Sequence, residues 1–275
     1  MKDFRNKVAA ITGAGSGMGR SLAVLLASRG CHVALSDINE AGLAETVKLL
    51  DGTGIKVTAQ KLDVADKAAV FAWAEQVARD HGKINLIFNN AGVALGSAID
   101  GGSYEDLEWI MNINFWGVVH GTKAFLPYLK DAGEGHVINT SSIFGLFAVP
   151  SQSAFNASKF AVRGFTEALR QELEMEGVNV SATSVHPGGI KTNIARAARM
   201  DQSITKLGLS TNSTEKFEKL FTTTADKAAE IIIRGVEKNQ RRVLVGTDAK
   251  VLDLMVRLLP STYQKLVSLS SKRMK

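Results

Sequence analysis

Short apolar runs alternate with stretches of helical period along most of the chain, and this alternation constrains the fold more than any single residue. KVAAIT (7–12), HVALS (32–36), IKVTAQ (55–60), NLIFN (85–89), HVINTS (136–141), VNVSATSV (178–185) and RRVLVG (241–246) read as strands. After the first run, Leu22, Leu25 and Leu26 recur at helical spacing until Gly30, a stop residue. Helical patterns also cover 39–50, 66–80, 105–131, 152–176 and 225–239. Strand, crossover helix and strand in regular succession build a parallel sheet covered on both faces. The strands are continuous apolar runs, as strands buried on both faces are. The expectation is a single α/β domain with a doubly wound parallel sheet.

At 275 residues the chain is within reach of one large α/β domain, and 45% apolar residues supply its core. Four prolines and no Pro/Gly/Ser-rich linker leave no internal boundary. The division expected is 1–248 for the domain, with an irregular polar insertion at 190–224 suited to a substrate lid, and 249–275 for a basic amphipathic extension. The net charge is +6, and residues 250–275 carry +5 of it, so the body is close to neutral. No basic stripe with interleaved aromatics suggests nucleic-acid binding. The N-terminus enters a strand almost at once without a signal-peptide pattern, and no run of about 18 apolar residues spans a membrane. The single cysteine, Cys31, forms no internal disulfide and reads as a buried, inert thiol. These features suit a reducing cytoplasm. No metal-ligand cluster is visible.

The first strand runs into TGAGSGMGR, which contains Gly13, Ser16, Gly17, Met18 and Gly19. A strand, a glycine turn and a helix start bring backbone N–H groups and the positive helix end around an anion. Glycines let a diphosphate approach the backbone. Asp37 ends the second strand, where a carboxylate accepts bonds from both ribose hydroxyls and repels a 2′-phosphate. Ile38 and Asn39 follow it, with no arginine, so NAD(H) is expected over NADP(H). Asp63 and Val64 close the third strand, and Asn90, Ala91 and Gly92 close the fourth. Both lie at the sheet edge where open α/β sheets bind ligands.

Taken together, TGAGSGMG, LDV, NNAG, MNINFWG, INTSS, FNASK and PGGIKT resemble, in order and spacing, the motifs of the short-chain dehydrogenase/reductase family. The resemblance covers about residues 5–246. It implies a Rossmann-type sheet of about seven strands and hydride transfer between a nicotinamide and an alcohol or ketone. By position it implies that Asn114, Ser142 and Lys159 are the catalytic asparagine, serine and lysine. It further implies that Pro187, Gly188, Ile190 and Thr192 grip the nicotinamide end, that Asp63 holds the adenine amine, and that Asn90 to Gly92 flank the adenosine ribose. A homodimer or homotetramer is also expected, although the extension beyond the final strand departs from many members.

The family's catalytic tyrosine, four residues before the lysine, falls on Phe155. Reducing a ketone needs a hydride on carbon and a proton on oxygen. Ser142 can bond the substrate oxygen, Lys159 the nicotinamide ribose, and Asn114 a water leading to solvent. A phenylalanine has no proton to give. Three readings stay open. One is an alcohol dehydrogenase or ketoreductase crippled by a Tyr-to-Phe exchange, with the supporting residues intact. Another is a reductase of imine or iminium substrates, which need no proton on oxygen. The last is a non-catalytic NAD(H)-binding sensor or scaffold. Val93, Ala94, Phe144, Phe147 and Gly188 suggest an apolar substrate pocket, and hence a hydrophobic secondary alcohol or ketone. His186, before Pro187, reads as structural.

Overall fold

The computed structural model describes residues 1–209 and 221–273. The middle of the insertion (210–220) and the last two residues of the extension lie outside the described residues. Seven parallel strands form the central sheet: β1 (Val8–Thr12), β2 (His32–Asp37), β3 (Val57–Lys61), β4 (Leu86–Asn89), β5 (Gly135–Thr140), β6 (Val180–Pro187) and β7 (Arg242–Val245). Their spatial order is 3-2-1-4-5-6-7. Ala10 of β1 sits opposite Ala34 on one side and Ile87 on the other. The order reverses between β1 and β4, and the crevice at their carboxyl ends is the natural ligand site of such a sheet.

Helices cover both faces. Leu22 and Leu26 of α1 (Gly17–Ser28), Leu43 of α2 (Glu40–Lys48) and Ile232, Ile233 and Val236 of α7 (Ala225–Glu237) pack on Ile11, Leu35 and Val185. On the other face lie Trp73 and Val77 of α3 (Lys67–His81), Phe125 and Leu129 of α5 (Gly117–Asp131), and Leu169 and Leu173 of α6 (Ser153–Glu176). They pack on Val8, Ala34, Ile87 and Val137. Adjacent residues of β1 therefore enter opposite cores, and all five are buried. That explains the unbroken apolar run. Trp73 and Phe125 meet edge to face at 5.0 Å, and burying each large side chain of this kind contributes about 1.5–3 kcal/mol. Cys31 is fully buried, and burial pushes its thiol up to about 12.

The expected single helix over 105–131 is two helices. α4 (Tyr104–Met111) passes through a π-helical turn, Asn112–Trp116, into α5. The apolar period runs on through the junction because a π turn adds one residue without reversing the chain. The two ends of the insertion pair with each other, and a third short strand within it pairs with the domain. Ile190–Lys191 pairs with Thr223–Thr224, and Arg199–Met200 pairs with Leu95–Gly96. The C-terminal extension forms α8 (Thr247–Leu258) and α9 (Tyr263–Arg273). Tyr263 is buried against the segment that follows β5. No helix among the described residues is long and apolar enough to cross a membrane.

Candidate active site

The glycine turn leaves β1 with Gly13 at φ +67°, and a Cβ there would lie 2.8 Å from the Ala91 backbone. Only glycine meets both conditions. Gly17 opens α1 at φ +50°, and Ser16, its N-cap, makes no side-chain capping bond. The first-turn N–H groups of α1, around Met18 and Gly19, have no partners within the helix. With the helix dipole they can bind an anion. Asp37 stands beside this turn, its two oxygens accepting from Gly15 N at 2.8 Å and Asn39 N at 2.9 Å. Ile38 is exposed. Asp63 is exposed with Oδ1 accepting from Ala65 N at 2.9 Å, and Val64 beneath it is buried. Thr12 Oγ1 accepts from Asn90 N and Ala91 N, both at 3.0 Å, locking the ends of β1 and β4 together. Asn90 Nδ2 donates to Thr12 O at 3.1 Å, while its Oδ1 is buried without a partner. An uncapped helix end, a carboxylate and an orphaned amide oxygen along one crevice fit a dinucleotide. Pro187 ends β6, Gly188 and Ile190 follow it, and the Thr192 methyl lies 3.0 Å from where a Gly17 Cβ would stand. The second glycine segment therefore reaches across to the first.

The π turn carries Asn114 inward, where it is fully buried. Its Nδ2 donates to Val93 O at 2.9 Å, and its Oδ1 accepts from Val93 N at 2.8 Å. A Cβ on Gly92 would meet Asn114 Oδ1 at 3.2 Å and Lys159 Nζ at 3.4 Å, so both groups flank this residue. Lys159, on α6, is 3% exposed and donates to Thr140 O at 3.0 Å. Burial lowers its pKa to about 8. Its Nζ stands 5.7 Å from the Phe155 ring centroid. Ser141 Oγ donates to Lys159 O at 2.7 Å and ties the end of β5 to α6. Ser142 is half-buried, and its Oγ accepts from Phe144 N at 3.1 Å.

Phe155 is buried in a cluster with Leu95, Ile110 and Ala154, edged by Val93, Ala94, Trp109 and Phe144. Of the two phenylalanines expected to line a pocket, Phe144 reaches this cluster. Phe147 is buried behind it in a second cluster with Tyr263. Gly188 is half-buried, and a Cβ there would run into the Asp248 carboxylate.

His186 is buried, its Nδ1 donating to Ser142 O at 2.9 Å and its Nε2 accepting from Ser184 Oγ at 2.9 Å. It braces the serine segment from behind. Burial pushes it down to about 4, and burial likewise pushes His136, bonded to Thr183 Oγ1 at 2.7 Å, down to about 3. Both folded-state values lie below the unfolded value of about 6.5. The unfolded chain therefore binds more protons as pH falls through 6.5. This stability is fully present above pH 6.5 and declines as pH falls toward 4, by up to about 1.4 kcal/mol per histidine per pH unit. Thermal unfolding temperatures should fall across that window, and His136→Gln should show a shallower slope. An equal slope would remove His136 from the explanation.

Two contributors carried no sequence signal. Asp248, in the first turn of α8, accepts from Gly189 N at 2.6 Å through Oδ2, while its Oδ1 is buried without a partner. In the sequence an acidic residue there reads only as a helix start. Ser158 Oγ accepts from Asn114 Nδ2 at 3.3 Å and donates to Phe155 O at 2.8 Å. It links the asparagine to α6, and a serine inside a helical pattern does not disclose that.

A family model described as short chain dehydrogenase matches residues 7–203. SadH of Mycobacterium tuberculosis, named as an oxidoreductase, is 47% identical over 269 residues, covering 98% of this chain and 96% of SadH. The C alpha-dehydrogenase of a Sphingobium strain is 33% identical over 248 residues, covering 87% of this chain and 80% of that protein. A short-chain dehydrogenase/reductase from Burkholderia phymatum, solved in complex with NAD, superposes with a TM-score of 0.85 at 31% identity. That match covers 94% of this chain and 97% of the other. The motif-bearing elements occupy one crevice of a seven-stranded parallel sheet, and the chain belongs to the short-chain dehydrogenase/reductase family of oxidoreductases.

Proposed function

We propose that the chain interconverts a hydrophobic secondary alcohol and its ketone with NAD(H), and that Phe155 holds its rate far below what the site supports. The observation that carries this reading is the retained constellation. Asn114 and Lys159 flank Gly92, Ser142 follows β5, and Phe155 packs beside Lys159. The bound nicotinamide supplies or accepts the hydride. Ser142 Oγ bonds the substrate oxygen, and the Lys159 ammonium holds the nicotinamide ribose. Asn114 fastens the Val93 backbone. The apolar rim of Val93, Ala94 and Phe144 orients a hydrophobic substituent and excludes water.

Asp37 supports the NAD(H) preference, because its carboxylate is held beside the glycine turn by two backbone N–H groups. The basic group nearest this turn, Arg20, is engaged by Glu45 at 2.8 Å and by Gly42 O at 3.1 Å. NADH should bind more tightly than NADPH, and Asp37→Ser should narrow the gap by about tenfold or more, since a like-charge contact is removed. Fluorescence titration with both nucleotides checks this. Tighter NADPH binding by the unsubstituted chain would sink the assignment.

The reading is of a cytoplasmic homodimer or homotetramer. Trp116 and Phe160, left exposed at 47% and 39%, support association. A panel of alcohols, ketones and cyclic imines with NAD(H), run on this chain and on its Phe155→Tyr version, tests the activity. The imine alternative draws on Phe155 itself, since an iminium carbon needs hydride alone. Turnover of imines but not ketones by the unsubstituted chain would favour it. Nucleotide binding without turnover by either version would instead favour the sensor or scaffold reading.

A further inference from the structure

The extension beyond β7 has an inner face that reaches the site. Tyr263, at the start of α9, is 6% exposed, and its hydroxyl accepts from Ala148 N at 3.1 Å. Its ring meets Phe147 edge to face at 6.1 Å. Phe147 meets Phe144 at 5.4 Å, and Phe144 meets Phe155 at 6.1 Å, again edge to face. A continuous file of rings therefore runs from the C-terminal extension to the position beside Lys159. Ala249, Leu252, Met255 and Val256 of α8 and Val267 of α9 pack around the far end of this file.

The segment between Ser142 and Val149 is held at its two ends, where His186 Nδ1 donates to Ser142 O at 2.9 Å and Asn156 Nδ2 donates to Val149 O at 3.0 Å. It forms one 3₁₀ turn, Ile143–Gly145, and pairs with no strand. Its position comes from packing and from a few bonds at its ends. Between those ends, Phe144 N donates to Ser142 Oγ, and Ala148 N donates to the Tyr263 hydroxyl, which comes from the C-terminal extension. Tyr263 is not a substitute proton donor, because the rings of Phe147 and Phe144 stand between it and Phe155.

We propose that Tyr263 is a specificity-determining residue, which sets the depth of the apolar substrate wall by holding Phe147 and Phe144 against Phe155. The inference rests on the alcohol/ketone reading above. The substrate class it favours is a secondary alcohol whose apolar arm ends at the Phe144 face. Shortening the support should let that wall retreat and admit longer arms.

Tyr263→Phe removes the bond to Ala148 and keeps the ring; Tyr263→Leu removes the ring and keeps much of the bulk; Tyr263→Ala removes both. Each is made in the chain as it stands and together with Phe155→Tyr. In the unsubstituted background, hydrogen exchange reports Ala148 protection without any turnover, and NADH titration reports the cofactor crevice. In the Phe155→Tyr background, kcat/KM is measured for straight-chain 2-alkanols of graded length. Expected are faster Ala148 exchange in all three variants, unchanged NADH affinity, and a shift of preference toward longer alkanols by roughly tenfold or more in Tyr263→Ala. Tyr263→Leu should show the same shift in smaller measure, and it carries the test if the alanine variant does not fold. Unchanged length preference, or unchanged Ala148 exchange, overturns the proposal. A Phe155→Tyr parent inert toward every alkanol sinks the functional reading, and the specificity role falls with it. That failure is distinguishable because the exchange and NADH readouts are obtained regardless.

Discussion

Phe155→Tyr should raise NAD-dependent oxidation of a hydrophobic secondary alcohol by about 10²–10⁴, the usual contribution of a positioned general acid–base group. The substitution adds one oxygen to a ring already packed among Leu95, Ile110 and Ala154. The fold therefore has little to rearrange. The new hydroxyl would enter a site where the Lys159 ammonium stands 5.7 Å from the ring centre. A positive charge that close favours the phenolate and lowers the phenol from its ordinary value of about 10. The rate should therefore acquire a limb in its pH profile that the unsubstituted chain lacks. Steady-state kinetics across pH, with NADH affinity measured in parallel, is the check. If NADH binds equally to both forms and the rate does not change, the proton-donor account is wrong, and imine turnover becomes the reading to pursue.

Lys159→Met should produce opposite effects on stability and on function. The buried ammonium donates to Thr140 O and lies over the face of Phe155. Burial lowers its pKa to about 8. That lies below its unfolded value, so the unfolded chain binds more protons between about pH 8 and 10.5. Stability from this group therefore rises with pH across that window. At pH 7 both states are protonated and the full burial penalty of roughly 3 kcal/mol is in force. Methionine fills similar space without charge. Part of the gain is lost because Thr140 O is left without its donor, which costs about 1 kcal/mol or more. The net expectation is an unfolding temperature higher by a few degrees at pH 7, in the absence of nucleotide. Turnover in the Phe155→Tyr background should fall by about 10² or more, and NADH should bind more weakly. A lower unfolding temperature would show that the buried ammonium stabilises the fold. In that case the site would not be one where stability is given up for chemistry.

Much of the site was legible because its signals are local. The glycine turn announces itself since Gly13 must adopt positive φ where β1 ends, and that requirement is written in neighbouring residues. Asp37 is singled out by its place at the end of an apolar run, and the burial of Cys31 by its place between a glycine and that run. His186 was read as structural, and its two buried bonds agree. Asn114, Ser142 and Lys159 are candidates through resemblance alone, because neither a polar residue inside a helical pattern nor a serine after a strand discloses which way it points.

The sequence alone determined the α/β order, the parallel sheet, the dinucleotide-type turn and the absence of a phenol beside Lys159. Each of these follows from periodicity over a few residues or from the identity of one side chain. Tertiary structure alone decided the π turn that carries Asn114 inward, the bond from Gly189 to Asp248, and the placing of Phe147 behind Phe144 against Tyr263. The Gly189–Asp248 and Phe147–Tyr263 contacts join residues far apart in the chain and depend on how helices seat on the sheet. The π turn adds a residue that the hydrophobic period cannot register. No local pattern encodes such distances, so the candidate residues of the site were readable in the chain, while the shape of its walls came from packing.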